Sequence, residues 1–446
     1  MDRSDRSVEV FIEYQRGRGR DWSPRPTDEE VSREYDQIWF LLGARQIEEL
    51  VDLPLITNPD VLDVLDVLTA TVMSANFTDE NLLALLLCRM VSLSLEHGNS
   101  DAACFAYVSL GMIAGPQFGN YEAGFQFGKL GYDLVEKRGL HRYQARTYLR
   151  FGNCVIPWKR HVKTGRELVR RAFDAANRIG DLTFAGYSCN NLHTNLLAAG
   201  DPLAEVQREA ETGLEFAEKV RFGRVIVQIK TQLALIRTLR GFKPKFGSFN
   251  DDYFDEFQFE RHFSGNPVLA LPECWYWIRK LQARFFAGDY SSAIQASLNA
   301  QPLLWTSHSY FEVAEYHFYS ALARSGLLIR QPRARDRSTS RLWPITTGSW
   351  QYGRRIARRI SKTAPHWWSR KSPGSKAATA TPCASTSRRS AQHTPTALCT
   401  TRPLPTNWRR SAIWRVVLKR LDTPISATRG TVTTAMDREP AFTSPF

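Results

Sequence analysis

Between Asp101 and Ala323 apolar residues recur three and four positions apart, and Gly, Asn or Pro interrupts the runs at roughly twenty-residue intervals, the signature of amphipathic helices joined by tight turns. Val206, Ala210, Leu214, Ala217 and Val220 form one face of a helix whose other side carries Glu209, Glu211, Glu215 and Glu218. Such a helix lies on a surface. The next run, Ile226, Ile229, Leu233, Ile236 and Leu239, is apolar over a wider arc and stops at Gly241, which predicts a more buried helix with a glycine at its C-terminus. The two read as a helical hairpin. Hairpins of this kind start near Asp101, Tyr143, Leu182, Arg224, Val268 and Tyr310, a period of about 40 residues that marks helical solenoids.

Two of these units carry finer marks. In the first, Tyr107, Leu110, Gly111, Ala123 and Phe127 fall at the aromatic, Leu-Gly, small and bulky offsets of the tetratricopeptide (TPR) pattern, with Gly119-Asn120-Tyr121 at the turn. In the fifth, Leu281, Phe285, Gly288-Asp289-Tyr290 and Ala293 repeat the scheme with one residue deleted. Small residues belong there because two helices cross closely only where side chains are short. The other units match poorly, so the repeats are TPR-like. Residues 1–100 also follow a helical pattern, with Thr27 ahead of Asp28-Glu29-Glu30 and Thr78 ahead of Asp79-Glu80 as expected N-caps. The expected fold is all-α: a helical segment over 1–100 leading into a right-handed solenoid of TPR-like helical hairpins over 101–323.

Composition divides the chain at the end of that array. Of 59 Lys and Arg and 45 Asp and Glu, 24 basic and 4 acidic residues lie from Arg324 onward, a net charge of +20, against −6 for the residues before it. The helical period stops there, and the text becomes rich in Arg, Ser, Thr, Pro and Ala, as in a disordered or irregular basic tail. Yet it holds six of the twelve tryptophans, and disordered segments are poor in aromatic residues. The genetic code offers an explanation. Read one base out of register, Trp343-Pro344 forces Ala, Trp350-Gln351 forces Ala and Trp367-Trp368 forces Val, and permitted codons elsewhere turn Leu342 to Trp368 into LADHHRQLAVWAENCPENFENRAALV, a charge-balanced helix. Residues 324–446 are therefore expected to be translated out of frame. The doublets Arg354-Arg355, Arg358-Arg359, Arg388-Arg389 and Arg409-Arg410, set among Trp350, Trp408 and Trp414, otherwise point to single-strand nucleic-acid binding through charge and stacking. Out of frame, they imply no specific nucleic-acid partner.

Candidate chemistry is sparse. Seven cysteines are scattered without a CxxC, the N-terminus MDRSDRSVEV is charged, and the greasiest stretch, Asn81 to Leu95, is too short to span a bilayer. A cytoplasmic protein with no membrane insertion is the expectation. Gly124-Phe125-Gln126-Phe127-Gly128-Lys129-Leu130 is one residue short of a P-loop and has Leu where Mg²⁺ needs Ser or Thr, so it reads as helix. Glu312, Glu315 and His317 form a conceivable metal face, read here as a solvated one. No catalytic residue, cofactor or metal is expected, and the chain is read as non-enzymatic.

Phe242 to Phe263 is a long insertion in which Phe246, Phe249, Tyr253, Phe254 and Phe257 stand among Asp251, Asp252, Asp255 and Glu256. Aromatics beside acids could hold a basic amphipathic partner or fold back on the array's own groove. Trp275 and Trp277, on either side of Tyr276, point around more than one helix face, so at least one is expected to be partly exposed.

Words such as Lys129 to Gly139 (KLGYDLVEKRG), Ile179 to Ala185 (IGDLTFA), Leu235 to Gly241 (LIRTLRG) and Glu273 to Leu281 (ECWYWIRKL) resemble the helical-repeat region of very large bacterial signalling proteins, especially of rhizobial type. Those proteins join a serine/threonine-kinase-like domain, a P-loop predicted-ATPase module, TPR-like repeats and often a sensor histidine kinase. The resemblance implies a sensory or coupling segment, here as a truncated fragment, that binds a protein partner or other domains of a signalling kinase. It brings no catalytic residue, because the kinase and ATPase modules lie outside the matched part. The rival implication is a fragment that keeps ATP-linked signalling activity.

Overall fold

The computed structural model describes residues 4–17, 22–252, 254–263 and 266–330, and every regular element among them is helical. Tyr253 and the residues from 331 onward, hence nearly all of the expected out-of-frame tail, lie outside the described residues. Four helices precede the array: α1 (Ser4–Gly17), α2 (Asp28–Leu42), α3 (Pro59–Ala75) and α4 (Glu80–His97). Thr27 caps α2 as expected, its hydroxyl accepting from Glu30 N at 3.2 Å while Glu30 Oε2 accepts from Thr27 N at 2.7 Å. The cap of α4 is one residue later than expected. Asp79 Oδ1 accepts from Leu82 N at 2.8 Å, whereas the Thr78 hydroxyl turns back to Ser74 O at 3.2 Å and closes α3.

The array follows as α5 (Asp101–Phe118), α6 (Tyr121–Arg138), α7 (Gln144–Arg150), α8 (Arg166–Ile179), α9 (Leu182–Ala199), α10 (Leu203–Lys219), α11 (Gly223–Leu239), α12 (Glu256–Phe263), α13 (Ala270–Phe286), α14 (Tyr290–Ala300) and α15 (Phe311–Arg330). Apart from the short α12, each helix of the array packs on its chain neighbour, and α5, α7, α9, α11, α13 and α15, which begin within two residues of the expected hairpin starts, also pack side by side as an inner row. The last of them runs past the expected boundary at Ala323 to Arg330, and a side chain on Gly326 would collide with the Tyr290 ring.

The hairpin of α5 and α6 shows why the small residues are needed. A Cβ on Gly111 would lie 2.5 Å from Gly124 O and 2.8 Å from Gly128 N, and one on Gly131 would lie 2.5 Å from Cys104 O. The two backbones touch. That approach buries α5 from Ala102 to Gly115 on every side, as expected of a helix that is apolar all round. Tyr107 and Phe127 stack at 6.1 Å beside Leu110 and Ala123, all of them buried. The equivalent positions Leu281, Phe285, Tyr290 and Ala293 are buried between α13 and α14, with the Phe285 and Tyr290 rings 5.9 Å apart and Gly288 in the left-handed turn conformation. Each large side chain so buried contributes about 1.5–3 kcal/mol of transfer free energy.

After α7 the chain widens into a π turn, Phe151–Val155, followed by a 3₁₀ turn, Ile156–Trp158. Pro157 explains it: proline cannot donate to the carbonyl four residues back, and its ring crowds that carbonyl. The segment after α14 then runs back across the array, where Trp158 Nε1 donates to Ser309 O at 3.1 Å and His308 Nδ1 lies 3.0 Å from Glu80. Thus the end of the array touches both its second hairpin and α4, which precedes the array.

The close crossing is testable. Gly111→Ala is expected to destabilise the protein by roughly 1–3 kcal/mol despite alanine's better helix propensity, because the added methyl meets backbone that cannot yield. Gly223→Ala, at an exposed helix start with nothing within 4 Å, is expected to be neutral or slightly stabilising. Chemical denaturation of the two variants checks the contrast.

Candidate functional site

The insertion takes the place of the second helix that the fourth hairpin lacks. Its anchor is Glu256, buried at the start of α12. The carboxylate accepts from Phe249 N at 2.6 Å and the Ser248 hydroxyl at 3.0 Å, and it pairs with Arg284 at 2.6 Å and Lys280 at 2.7 Å, both on α13. Asn250 Oδ1 accepts from Glu256 N at 2.7 Å. Lys243, also buried, donates to Phe249 O at 2.7 Å and pairs with Asp251. Burial alone raises the Glu256 carboxyl, but the hydrogen bonds from Lys280 and Phe249 N–H and the charges of Lys280 and Arg284 outweigh it and hold the group below the usual carboxylate range.

Around this anchor the aromatic residues divide. Phe249, Phe254, Phe259 and Phe263 turn inward and pack around Tyr276, with Phe254 and Phe259 4.6 Å apart and Phe259 5.4 Å from Tyr276. Phe246 and Phe257 face solvent, 41% and 68% exposed, as does Phe242. Of the two tryptophans singled out in the sequence, Trp275 is buried and donates to the Ser307 hydroxyl at 3.1 Å, and Trp277 is half-buried, donating to Glu273 at 3.2 Å. Phe249 and Trp275 therefore contribute packing instead of contact surface, and Phe246 and Phe257 are the candidates left accessible. Asp251 and Glu256 are likewise used internally, whereas Asp252 and Asp255 remain exposed.

A second polar feature was missed by the sequence reading. The inner row carries Ser109, Arg150, Asn190, Asn191, His193, Thr194, Gln228, Gln232, Arg279 and Glu312, all buried. Thr194 donates to Gln232 Oε1 at 2.9 Å, and Gln232 Nε2 donates to Asn190 Oδ1 at 3.0 Å. Arg279 pairs with Glu312 at 3.1 Å, with Glu315 and with Gln282. This overturns the solvated-face reading of Glu312, Glu315 and His317: α15 turns Glu312 into the array, where Arg279 holds it. Burial pushes the Glu312 carboxyl up to about 7 against the pull of Arg279. His193 is held down to about 3 by burial and then by Arg279. The available signal was in α9, whose Ser188 to Asn195 stretch is polar without being charged, an arrangement suited to an interior hydrogen-bonded face.

The near-P-loop stretch Gly124 to Leu130 lies inside α6, where helix hydrogen bonding occupies its backbone. Among the described residues no group of His, Cys, Asp and Glu is placed to hold a metal ion, and no helix is long and apolar enough to cross a membrane.

No family model matches the chain. Over 169 residues, 37% of this chain, it is 27% identical to hybrid signal transduction histidine kinase G of Dictyostelium discoideum. The matched stretch is 5% of that protein's length, so the chain corresponds to a small part of it.

Two pH effects follow, of opposite sense. Glu256 has a depressed pKa, so its contribution is present above the unfolded carboxylate range and is lost as pH falls through the lower folded value. Hydrogen exchange is expected to show the Phe249 amide losing protection first in acid, and Glu256→Ala is expected to reproduce that loss at neutral pH while Phe257→Ala leaves it unchanged. Glu312 has a raised pKa, so its contribution is present below the unfolded value and is lost as pH rises through about 7. The stability advantage of wild type over Glu312→Gln is therefore expected to shrink between about pH 5 and 7.5. His193 and His317, held down to about 3 and about 4, act the other way in that window but are common to both proteins, so the difference isolates Glu312.

Proposed function

We propose that the chain is a non-catalytic interaction or coupling segment of a multidomain signalling protein, built from TPR-like helical hairpins. The observation that carries this reading is the similarity to a hybrid signal transduction histidine kinase together with a helical-hairpin array. It agrees with the sequence resemblance to repeat regions that adjoin kinase, ATPase and sensor histidine kinase modules. The Gly111 crossing and the buried Leu281, Phe285, Tyr290 and Ala293 between α13 and α14 support the TPR-like assignment. Phe246 and Phe257, exposed beside Asp252 and Asp255 on a clamped insertion, offer apolar and acidic contact to a basic amphipathic segment of a protein partner.

Retained ATP chemistry is the weaker alternative, since phosphate cradling needs free backbone N–H groups and Gly124 to Leu130 spends them within α6. Nucleic-acid binding through the basic tail is weaker again if residues 324–446 are out of frame, which the nucleotide sequence around codon 324 tests directly. The reading places the protein in the cytoplasm. Cys88, Cys104, Cys154, Cys189 and Cys274 are free thiols, as a reducing compartment keeps them.

Calorimetry with Mg·ATP is expected to give no saturable heat; micromolar binding abolished by Lys129→Ala would overturn the non-enzymatic reading. Proximity labelling in cells is expected to mark signalling-kinase neighbours, and Phe246→Ala with Phe257→Ala to remove them without lowering the melting temperature. Identical labelling by both proteins would sink the docking role of the insertion.

A further inference from the structure

The π turn after α7 aims Arg150 and Cys154 toward the interior, where they line a cavity of about 40 Å³ with Tyr187, Asn191, Gln228 and Tyr310. A single water needs about 10–15 Å³, so the space takes more than one small molecule of that size or a compact ligand of a few heavy atoms. Arg150 is buried and makes no ion pair among the described residues. Its guanidinium lies 4.3 Å over the Phe105 ring, donates to the Ser109 hydroxyl and approaches Met73 Sδ at 3.7 Å, partners that carry no negative charge. Burial without a counter-charge lowers its pKa to about 10. A buried guanidinium ordinarily has a carboxylate beside it.

The amides point the same way. Asn191 and Gln228 are buried, and Asn191 Oδ1 and Gln228 Oε1 have no hydrogen-bond partner. A primary amide can turn through 180° and present its N–H₂ in place of its oxygen. One cation and two unengaged amides facing one cavity are the groups that would recognise a small anion with two acceptor oxygens.

From this convergence we propose that the cavity binds a small carboxylate, the guanidinium of Arg150 supplying the charge and the amides of Asn191 and Gln228 holding the oxygens. The site is separate from the insertion and does not depend on the docking reading. Two sources share this chemistry, a free small acid and the carboxylate end of a larger molecule.

The test is calorimetry and thermal unfolding of the full chain with sodium acetate, with sodium chloride at matched ionic strength as the control. Acetate is expected to bind saturably at one site per chain and, at about a hundredfold over its dissociation constant, to raise the melting temperature by roughly 2–5 °C more than chloride does. Succinate monomethyl ester, tested alongside, separates the two sources: weaker binding than acetate marks a closed site for free small acids, and equal or tighter binding marks an open one for the end of a larger molecule. Arg150→Met is expected to abolish binding. Asn191→Leu with Gln228→Met is the second probe, independent of whether the Arg150 variant folds. Replacing unpaired buried amides by apolar groups of similar size is near neutral for the empty protein, so it should fold while binding acetate at least tenfold more weakly. Equal effects of acetate and chloride, or undiminished binding in the double variant, would overturn the proposal.

Discussion

Two helices can bring their backbones into contact only where the crossing residues have no side chain to hold them apart, and the array depends on that constraint at its start. Gly111 lies against Gly124 and Gly128, and the crossing repeats one hairpin later, where a Cβ on Gly165 would lie 2.0 Å from Gly152 O. Close crossing sinks α5 completely and lets the odd-numbered helices from α5 to α15 lie side by side. The polar groups of that row consequently become interior groups, subject to the cost of burying polarity without partners.

The row meets that cost unevenly. Thr194, Gln232 and Asn190 form a relay across α9 and α11, and Arg279 is enclosed by Glu312, Glu315 and Gln282. A neutral His193 and a carboxyl at Glu312 that favours its proton reduce the charge that must be buried. Asn191 Oδ1 and Gln228 Oε1 have no hydrogen-bond partner and Arg150 has no carboxylate beside it, and all three residues line the cavity.

The insertion answers a different requirement. Without a full second helix in the fourth unit, α11 packs directly on α13 and leaves apolar surface at Ala234, Leu235 and Tyr276 to be covered. Phe249, Phe254, Phe259 and Phe263 cover it, and Glu256 ties them down through two cations on α13. Phe249 and Phe254, two of the aromatic residues that looked like a docking surface, are thereby consumed in packing.

The sequence by itself determined the helices, their approximate starts and the close crossing of the first hairpin, because these follow from local periodicity, glycine placement and capping chemistry. Thr27 and Gly111 could be interpreted where they stood. Tertiary structure alone decided which face each polar residue uses. Glu312 looked solvated because the polar Glu315 and His317 lie within one and a half turns of it on α15, and only the approach of α13 brings Arg279 to it from more than thirty residues away. Phe249 and Phe257 are the same residue type in one short insertion, yet one is core and the other surface, since the Glu256 clamp orients the loop. The interior cavity was equally invisible, for its walls come from helices that are distant in the chain and adjacent only after the array has closed.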